Sequence, residues 1–273
     1  MLKRFPRVSI LALFCFFPAI PLFSAEASGV VESRGALSHP ESKASLNEID
    51  QLLQKGAFLE AKMHYQKLIG QNPSAEDLKS IRRALEDLNM KILFSPIITS
   101  DSFLYTVQPG DSLHKIAKKH TTTIELIKKS NHLSSDTIQS GMKLKISKAV
   151  YSITIDKSEN KLILYSDKEL LKTYRVATGR EGHRTPIGSF TVVNKLTNPT
   201  WYKAGAVVPP GSPDNILGTR WLGFSLESYG IHGTTLPETI GTDASEGCVR
   251  MLNQDVEELY AVIPIDTTVT IVD

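Results

Sequence analysis

The stretch that decides this chain reads Ile231-His232-Gly233-Thr234, passes through Ile240-Gly241, and ends Ser245-Glu246-Gly247-Cys248-Val249-Arg250-Met251. It joins one imidazole to one thiol across a glycine-rich connection, and Gly247 beside the thiol permits close backbone approach. A thiol of pKa ~8.5 is mostly protonated at neutral pH, so it needs an imidazole that takes its proton or stands as imidazolium beside the thiolate. Acyl transfer is the chemistry such a pair serves. Taken alone, Cys248 reads better as a small buried hydrophobe and His232 as a satisfied core histidine. The residues around the pair reverse that reading.

His232-Gly233-Thr234, Pro237, Gly241, Ser245-x-Gly247-Cys248-Val249-Arg250-Met251, Asp255 and Leu259-Tyr260 follow one another in a single register. This series resembles the signature of the L,D-transpeptidase catalytic domain. Upstream, Val176-Ala177-Thr178-Gly179, Thr185-Pro186-Ile187-Gly188-Ser189-Phe190, Asn198-Pro199-Thr200-Trp201-Tyr202 and the run from Asn215 to Trp221 resemble the same family, so the likeness covers 150–273.

From Val150 the hydrophobic period is two. Ser152–Ile155, Lys161–Tyr165, Leu171–Ala177, Gly188–Val193, Leu222–Leu226, Tyr229–His232 and Val269–Val272 read as strands of a mostly antiparallel β domain. One helix is expected from Asn253, as its cap, to Val262. The resemblance implies a β-sandwich or barrel-like fold with the cysteine at the mouth of a cleft.

Before this domain lies a second pattern. Leu104-Tyr105-Thr106-Val107 forms a strand, and Asp111 is placed to cap a helix through Ile116-Ala117. Thr122, with Glu125 three residues on, is placed to cap a second helix, and Leu144-x-Ile146 closes a βααβ unit over 104–148. Tyr-x-Val, Gly-Asp-Ser-Leu, Ile-Ala, Asn-x-Leu and Gly-x-x-Leu-x-Ile in this order resemble a lysin motif (LysM). That family binds N-acetylglucosamine-containing glycans such as peptidoglycan through two loops. Here they correspond to Gly110, Asp111, Ser112 and Leu113, and to Asn131 through Leu133, each residue being equally suited to capping or packing.

Residues 44–92 carry apolar spacings of three and four on both sides of Gly56, then a third amphipathic helix near Ala75–Met90. Leu-x-x-Gly-x-Phe-x-Glu-Ala-x-x-x-Tyr resembles one tetratricopeptide unit. A single unit lacks the neighbours such repeats need, so the segment reads as a helical spacer in preference to a dimerising hairpin. Residues 26–43, small and polar, read as a linker.

The first 25 residues combine Lys3, Arg4 and Arg7 with an apolar run to Phe23 and Ser24-Ala25, a secretory signal peptide. The run is short for a span and contains Pro18 and Pro21, so no stable membrane span is expected after processing. Phe14 before Cys15 does not suit lipidation. Cleavage removes those three cations and no acid, taking the formal charge from +2 to −1, so neither nucleic acid nor an anionic membrane is an expected partner. It also removes Cys15, leaving Cys248 as the sole thiol, without a disulfide partner in an oxidising compartment. The expected location is exported: periplasm or cell envelope, associated with the wall.

The resemblance therefore implies a multidomain peptidoglycan L,D-transpeptidase of cell wall biogenesis and cell shape. Cys248 would form a thioester with a tetrapeptide stem and His232 would move the protons. Gly233 would orient the imidazole through its carbonyl, backbone N–H groups near Gly247 and Cys248 would receive the oxyanion, and Ser245 would tie the loop or the histidine. Arg250 would hold a substrate carboxylate or fix the loop. Glu246 makes the setting less favourable to thiolate. No cofactor or metal is called for: His232 and Cys248 alone do not make a zinc site, and His114, His120 and His132 lack companion ligands. Partners are glycan strands, stem peptides and an acceptor, either a stem amine (a 3-3 cross-link) or the amine of an envelope protein. Water as acceptor would make an L,D-carboxypeptidase, and a silent β domain would leave a LysM wall-binding protein.

Overall fold

In the computed structural model, which describes residues 40–203 and 205–273, three helices come first: α1 (Pro40–Gln54), α2 (Phe58–Gly70) and α3 (Ala75–Leu93). The expected signal peptide, and the linker as far as residue 39, lie outside the described residues. Helix α1 begins at Pro40, four residues before the expected linker ends, because proline suits a first helical turn that needs no N–H. Gly56, at φ +73°, makes the reversal into α2. Ile49, Ala61, Tyr65, Leu68, Ile81, Leu88 and Ile92 form a small core of their own.

The expected spacer is instead packed against the β domain. Asn89 on α3 donates from Nδ2 to the carbonyl of Leu171 (3.3 Å), and Glu86 accepts from the N–H and hydroxyl of Thr173 (3.2 and 3.0 Å). These partners lie on an outermost strand, whose unpaired backbone groups would otherwise face outward. Burial raises the pKa of Glu86 even though the Thr173 bonds pull it down.

The next unit is βααβ as expected: β1 (Ser102–Thr106) pairs antiparallel with β2 (Lys143–Ser147), with α4 (Leu113–Lys119) and α5 (Ile124–Ser130) between. Both caps fall one residue later than the sequence suggested. Asp111 is occupied by the Gln108 N–H (2.8 Å) and the Tyr105 hydroxyl (2.7 Å), so Ser112 caps α4. Thr123, not Thr122, caps α5 and accepts from Leu126 N–H at 2.9 Å. That puts Glu125 one position short of where a reciprocal bond would form.

The β domain comprises β3 (Tyr151–Asp156), β4 (Lys161–Ser166), β5 (Glu169–Arg175), β6 (Thr178–Gly179), β7 (Gly188–Thr197), β8 (Trp201–Lys203), β9 (Ala206–Val208), β10 (Arg220–Phe224), β11 (Gly230–His232), β12 (Asp243–Ser245), β13 (Val249–Arg250), α6 (Asn253–Val262) and β14 (Thr268–Val272). Eight strands form one sheet in the order β13-β11-β10-β7-β14-β3-β4-β5. The domain is mostly antiparallel as expected, with three parallel pairs that the expectation did not include: β14 runs parallel to β3, β11 to β13 and β6 to β12. The β13-to-β14 connection is a helical crossover, α6, which packs against the sheet. Ala177, two residues beyond β5, exchanges both backbone bonds with Arg250 on β13 (2.9 Å each). The two ends of the sheet are thereby tied, giving the barrel-like curl.

Two lysines, Lys145 buried and Lys195 half-buried, bind helix ends. Lys145 on β2 donates to the carbonyls of Ile92 (2.9 Å), Leu93 (3.3 Å) and Ser95 (2.9 Å) at the C-terminus of α3. Lys195 on β7 donates to Tyr260 and Ile263 (2.7 Å each) at the end of α6. Burial lowers both pKa values to about 8, while unpaired carbonyls at the negative end of a helix favour the ammonium form. Lys145→Met removes three hydrogen bonds to the end of α3 and is expected to reduce the urea-unfolding free energy by about 2 kcal/mol. A variant as stable as the parent would show that these bonds contribute nothing.

Candidate active site

The pairing of β11 with β13 is parallel, Ile231 with Val249 and His232 with Arg250. Partners in register project to the same face, and alternate residues along a strand share it. His232 and Arg250 therefore share a face, and Cys248, two residues before Arg250, enters the same end of the ladder. Trp221 lies opposite His232 on β10 and stacks on its ring, 6.0 Å between centroids and 19° between planes. The Trp221 indole N–H is held by Asn194 Oδ1 at 2.9 Å.

His232 is 2% exposed. Its Nδ1 lies 2.6 Å from the carbonyl oxygen of Gly233; a carbonyl only accepts, so Nδ1 carries the hydrogen and Nε2 keeps its lone pair. Burial lowers the imidazole pKa to about 4; the carbonyls of Gly233 and Ile216 oppose this, and the Arg250 charge adds to it. Cys248 is half-buried, and its thiol donates to the Ser228 carbonyl at 3.5 Å. Burial raises its pKa above the ordinary 9.0, against the Gly230 backbone and Arg250, and with the help of Glu246. Both shifts favour the uncharged forms of thiol and imidazole over the ion pair.

Ser245 resolves toward the loop. Its hydroxyl donates to the Cys248 carbonyl (2.6 Å) and accepts from Gly247 N–H (3.1 Å). The Gly247 N–H is thus engaged and is not a free oxyanion donor as expected. Gly247 sits at φ +112°, and a Cβ there would meet the Tyr229 ring at 2.9 Å, so the sharp approach to Cys248 demands glycine. Glu246 faces Arg180 at 3.6 Å, an exposed pair.

Arg250 is 6% exposed, and its Nε is buried without a hydrogen-bond partner. Burial lowers its pKa from the usual value. The Arg250 charge, close enough to the thiol to favour thiolate, is suited to an incoming carboxylate or carbonyl.

One residue at the site was read only as a helix cap. Asn253 stands inside α6, Leu252 being the cap, because its amide is engaged elsewhere. Oδ1 accepts from Thr219 N–H (3.2 Å) and Thr234 N–H (3.0 Å), and Nδ2 donates to the Thr234 carbonyl (2.9 Å). A Cβ on Gly233 would come within 2.1 Å of that Oδ1. Asn253 therefore grips the backbone that presents the Gly233 carbonyl to His232. An asparagine opening a helix has no sequence signature separating this grip from ordinary capping.

In the LysM unit Gly110 and Ser112 are exposed, and Gly110 turns at φ +83°. Leu113 is buried and Leu133 packs against the unit's core, while Asp111 serves the Gln108–Asp111 turn. The Asn131 amide bonds the backbone of Lys145 on both sides, 2.7 and 2.9 Å, and Ile127 at 2.8 Å. Exposed surface at these loops comes mainly from Gly110, Ser112 and His132.

Residues 150–271 match the family model of the L,D-transpeptidase catalytic domain, YkuD, and residues 105–147 that of the LysM domain. A Bacillus licheniformis protein named provisionally as L,D-transpeptidase YkuD is 35% identical over 175 residues, covering 62% of this chain and 98% of its own. YqjB of Bacillus subtilis, named in the same way, is 40% identical over 126 residues, 44% of this chain and 70% of its own. An L,D-transpeptidase crystal structure from Mycobacterium tuberculosis aligns with a TM-score of 0.41 and 15% identity, over 50% of this chain and 64% of that one. With a relative matched at 35% identity along nearly its whole length, the chain belongs to the YkuD family of L,D-transpeptidases.

Proposed function

We propose that the protein is a peptidoglycan L,D-transpeptidase in which Cys248 is the nucleophile and His232 the base. The observation that supports this reading best is the parallel β11–β13 register, with His232 opposite Arg250 and so two residues from Cys248, and with Nδ1 of the ring held by the Gly233 carbonyl. As the donor stem arrives, Nε2 takes the thiol proton and Sγ bonds to the carbonyl carbon between the third residue, an L-centre, and the fourth, D-alanine. The C–N bond breaks, the imidazolium returns the proton to the departing amine, and a thioester remains. An acceptor amine then attacks the thioester, its proton passing through His232 to the released thiolate. Arg250, whose charge lies close enough to the thiol to favour thiolate, holds the stem's carboxylate or carbonyl.

The Cys248 N–H, not that of Gly247, is the natural oxyanion donor, because Ser245 occupies the latter. The LysM unit supplies affinity for the glycan. Wall binding places the protein outside the cytoplasm, and no described helix is long and apolar enough to cross a membrane.

Cys248→Ser should reduce 3-3 cross-link formation from disaccharide-tetrapeptide by at least ~10³-fold, read by chromatography of muropeptides, with glycan sedimentation unchanged. Full activity in that variant would reject covalent catalysis through this sulfur. Loss of sedimentation would reject the division of labour between the units. Released D-alanine without cross-link would identify water as the acceptor.

The lowered imidazole pKa sets the pH profile. Below a pKa of about 4 the ring is an imidazolium and accepts no proton, so kcat/KM should stay level from pH 8 to about 5 and fall only as pH drops through about 4. A limb near 6.5 would show the ring solvated and the buried geometry wrong.

Asn253 is a positioning residue. Asn253→Ala frees the Gly233 carbonyl and is expected to lower kcat by about 10–100-fold with little change in KM. The acid limb should move up as the ring gains water. Asn253→Asp, which keeps the acceptor, should recover part of the loss. An unchanged pH profile in Asn253→Ala would reduce the residue to a structural role.

A further inference from the structure

Two helices in series connect the imidazole loop to the glycan loops. At the first end, Asn253 opens α6 and grips Thr234 and the backbone beside Gly233. At the far end of α6, the Ala261 carbonyl accepts a buried hydrogen bond from the Thr123 hydroxyl, and Thr123 is the N-cap of α5. Lys195 holds the neighbouring carbonyls of Tyr260 and Ile263. From that joint α5 runs to Asn131, whose amide is bonded to the Lys145 backbone on both sides and which opens the 131–133 loop. At 1.5 Å per residue, α6 and α5 measure about 15 and 10 Å.

Further contacts brace the junction. Leu126 of α5 is buried in the core of the large sheet together with Val262 and Ile263. Lys145 fixes β2 to the end of α3, and α3 lines β5. Only residues 148–150 separate β2 from β3, and the Ser147 hydroxyl meets that of Tyr151 at 2.9 Å. A glycan binder on a flexible linker raises the local concentration of any stem within reach, whereas a fixed one admits only stems at one offset.

We propose that the enzyme takes its donor stem from the same glycan strand that its LysM unit holds, at an offset fixed by the α5–α6 strut. The preferred substrate is then a strand long enough to span both sites, and a free disaccharide-peptide is a poor one. This rests on the reading above, in which Cys248 is the nucleophile and the LysM unit binds glycan.

The test uses the full chain with a length series of glycan oligomers, each carrying tetrapeptide stems, at equal stem concentration and with a fixed acceptor amine. kcat/KM should rise at least ~10-fold over a single added disaccharide and stay level for longer strands. Stems nearest one strand end should remain unreacted, because the strut then has no sugar to hold. Thr123→Val, which removes the hydroxyl that bonds Ala261, should blunt the step, whereas Thr123→Ser should keep it. The wild-type series decides the matter even if Thr123→Val does not fold. Rates independent of length, or rising smoothly, or stems consumed equally at both ends, overturn the fixed offset. Failure of every length, the disaccharide-peptide included, refutes instead the assignment of activity on which the offset depends.

Discussion

Parallel pairing of two short strands, β11 and β13, is the constraint on which the rest of the site depends. Parallel neighbours cannot be joined by a tight turn, so the chain between His232 and Cys248 has to leave the sheet and return. It is held at both ends and in the middle. Asn253 secures the departure at Gly233 and Thr234, and Ser245 secures the return at Cys248. Midway, the N–H of Gly241 reaches the Val176 carbonyl at 2.9 Å, and Thr178 N–H reaches that of Thr242 at 3.2 Å. Closure of the sheet by Ala177 on Arg250 places the same segment against the end of β5. The site is therefore rigid because the barrel closes through it.

That rigidity has an electrostatic consequence. With Trp221 over the ring and little water near it, the imidazole resists protonation, and the half-buried thiol resists ionisation. Arg250 favours thiolate and Glu246 opposes it, so neither removes the effect of burial. In the proposed chemistry charge appears only when a carbonyl carbon is present to receive the sulfur. This protects Cys248, the free cysteine among the described residues, from oxidants that act on thiolates.

Much of the architecture was legible because local periodicity carries it. Period-two runs gave the strands of the large sheet except β13, and the βααβ order followed from caps and alternation, though Asp111 and Thr122 were each one residue early. His232, Gly233 and Cys248 stood out only through the family resemblance of the residues around them, and the Ser245 tie to the loop was one of two readings. What local pattern cannot express is register between distant segments. The parallel β11–β13 and β3–β14 pairs, the α3 cover on β5 and the lysines bonded to helix ends all depend on residues many positions apart. A lysine such as Lys145 reads as surface until a helix terminus is found above it. Asn131 belongs to the same class: counted toward a glycan groove, its amide is consumed by the Lys145 backbone.

In the proposed reaction the Cys248 sulfur carries the acyl group. Intact and tandem mass spectrometry of the protein, quenched while it turns over a tetrapeptide stem, tests it most directly. One adduct is expected, the stem without its terminal D-alanine, located on Cys248 and discharged by added amine. Product formation with no such adduct, or an acyl group found on another residue, would contradict it.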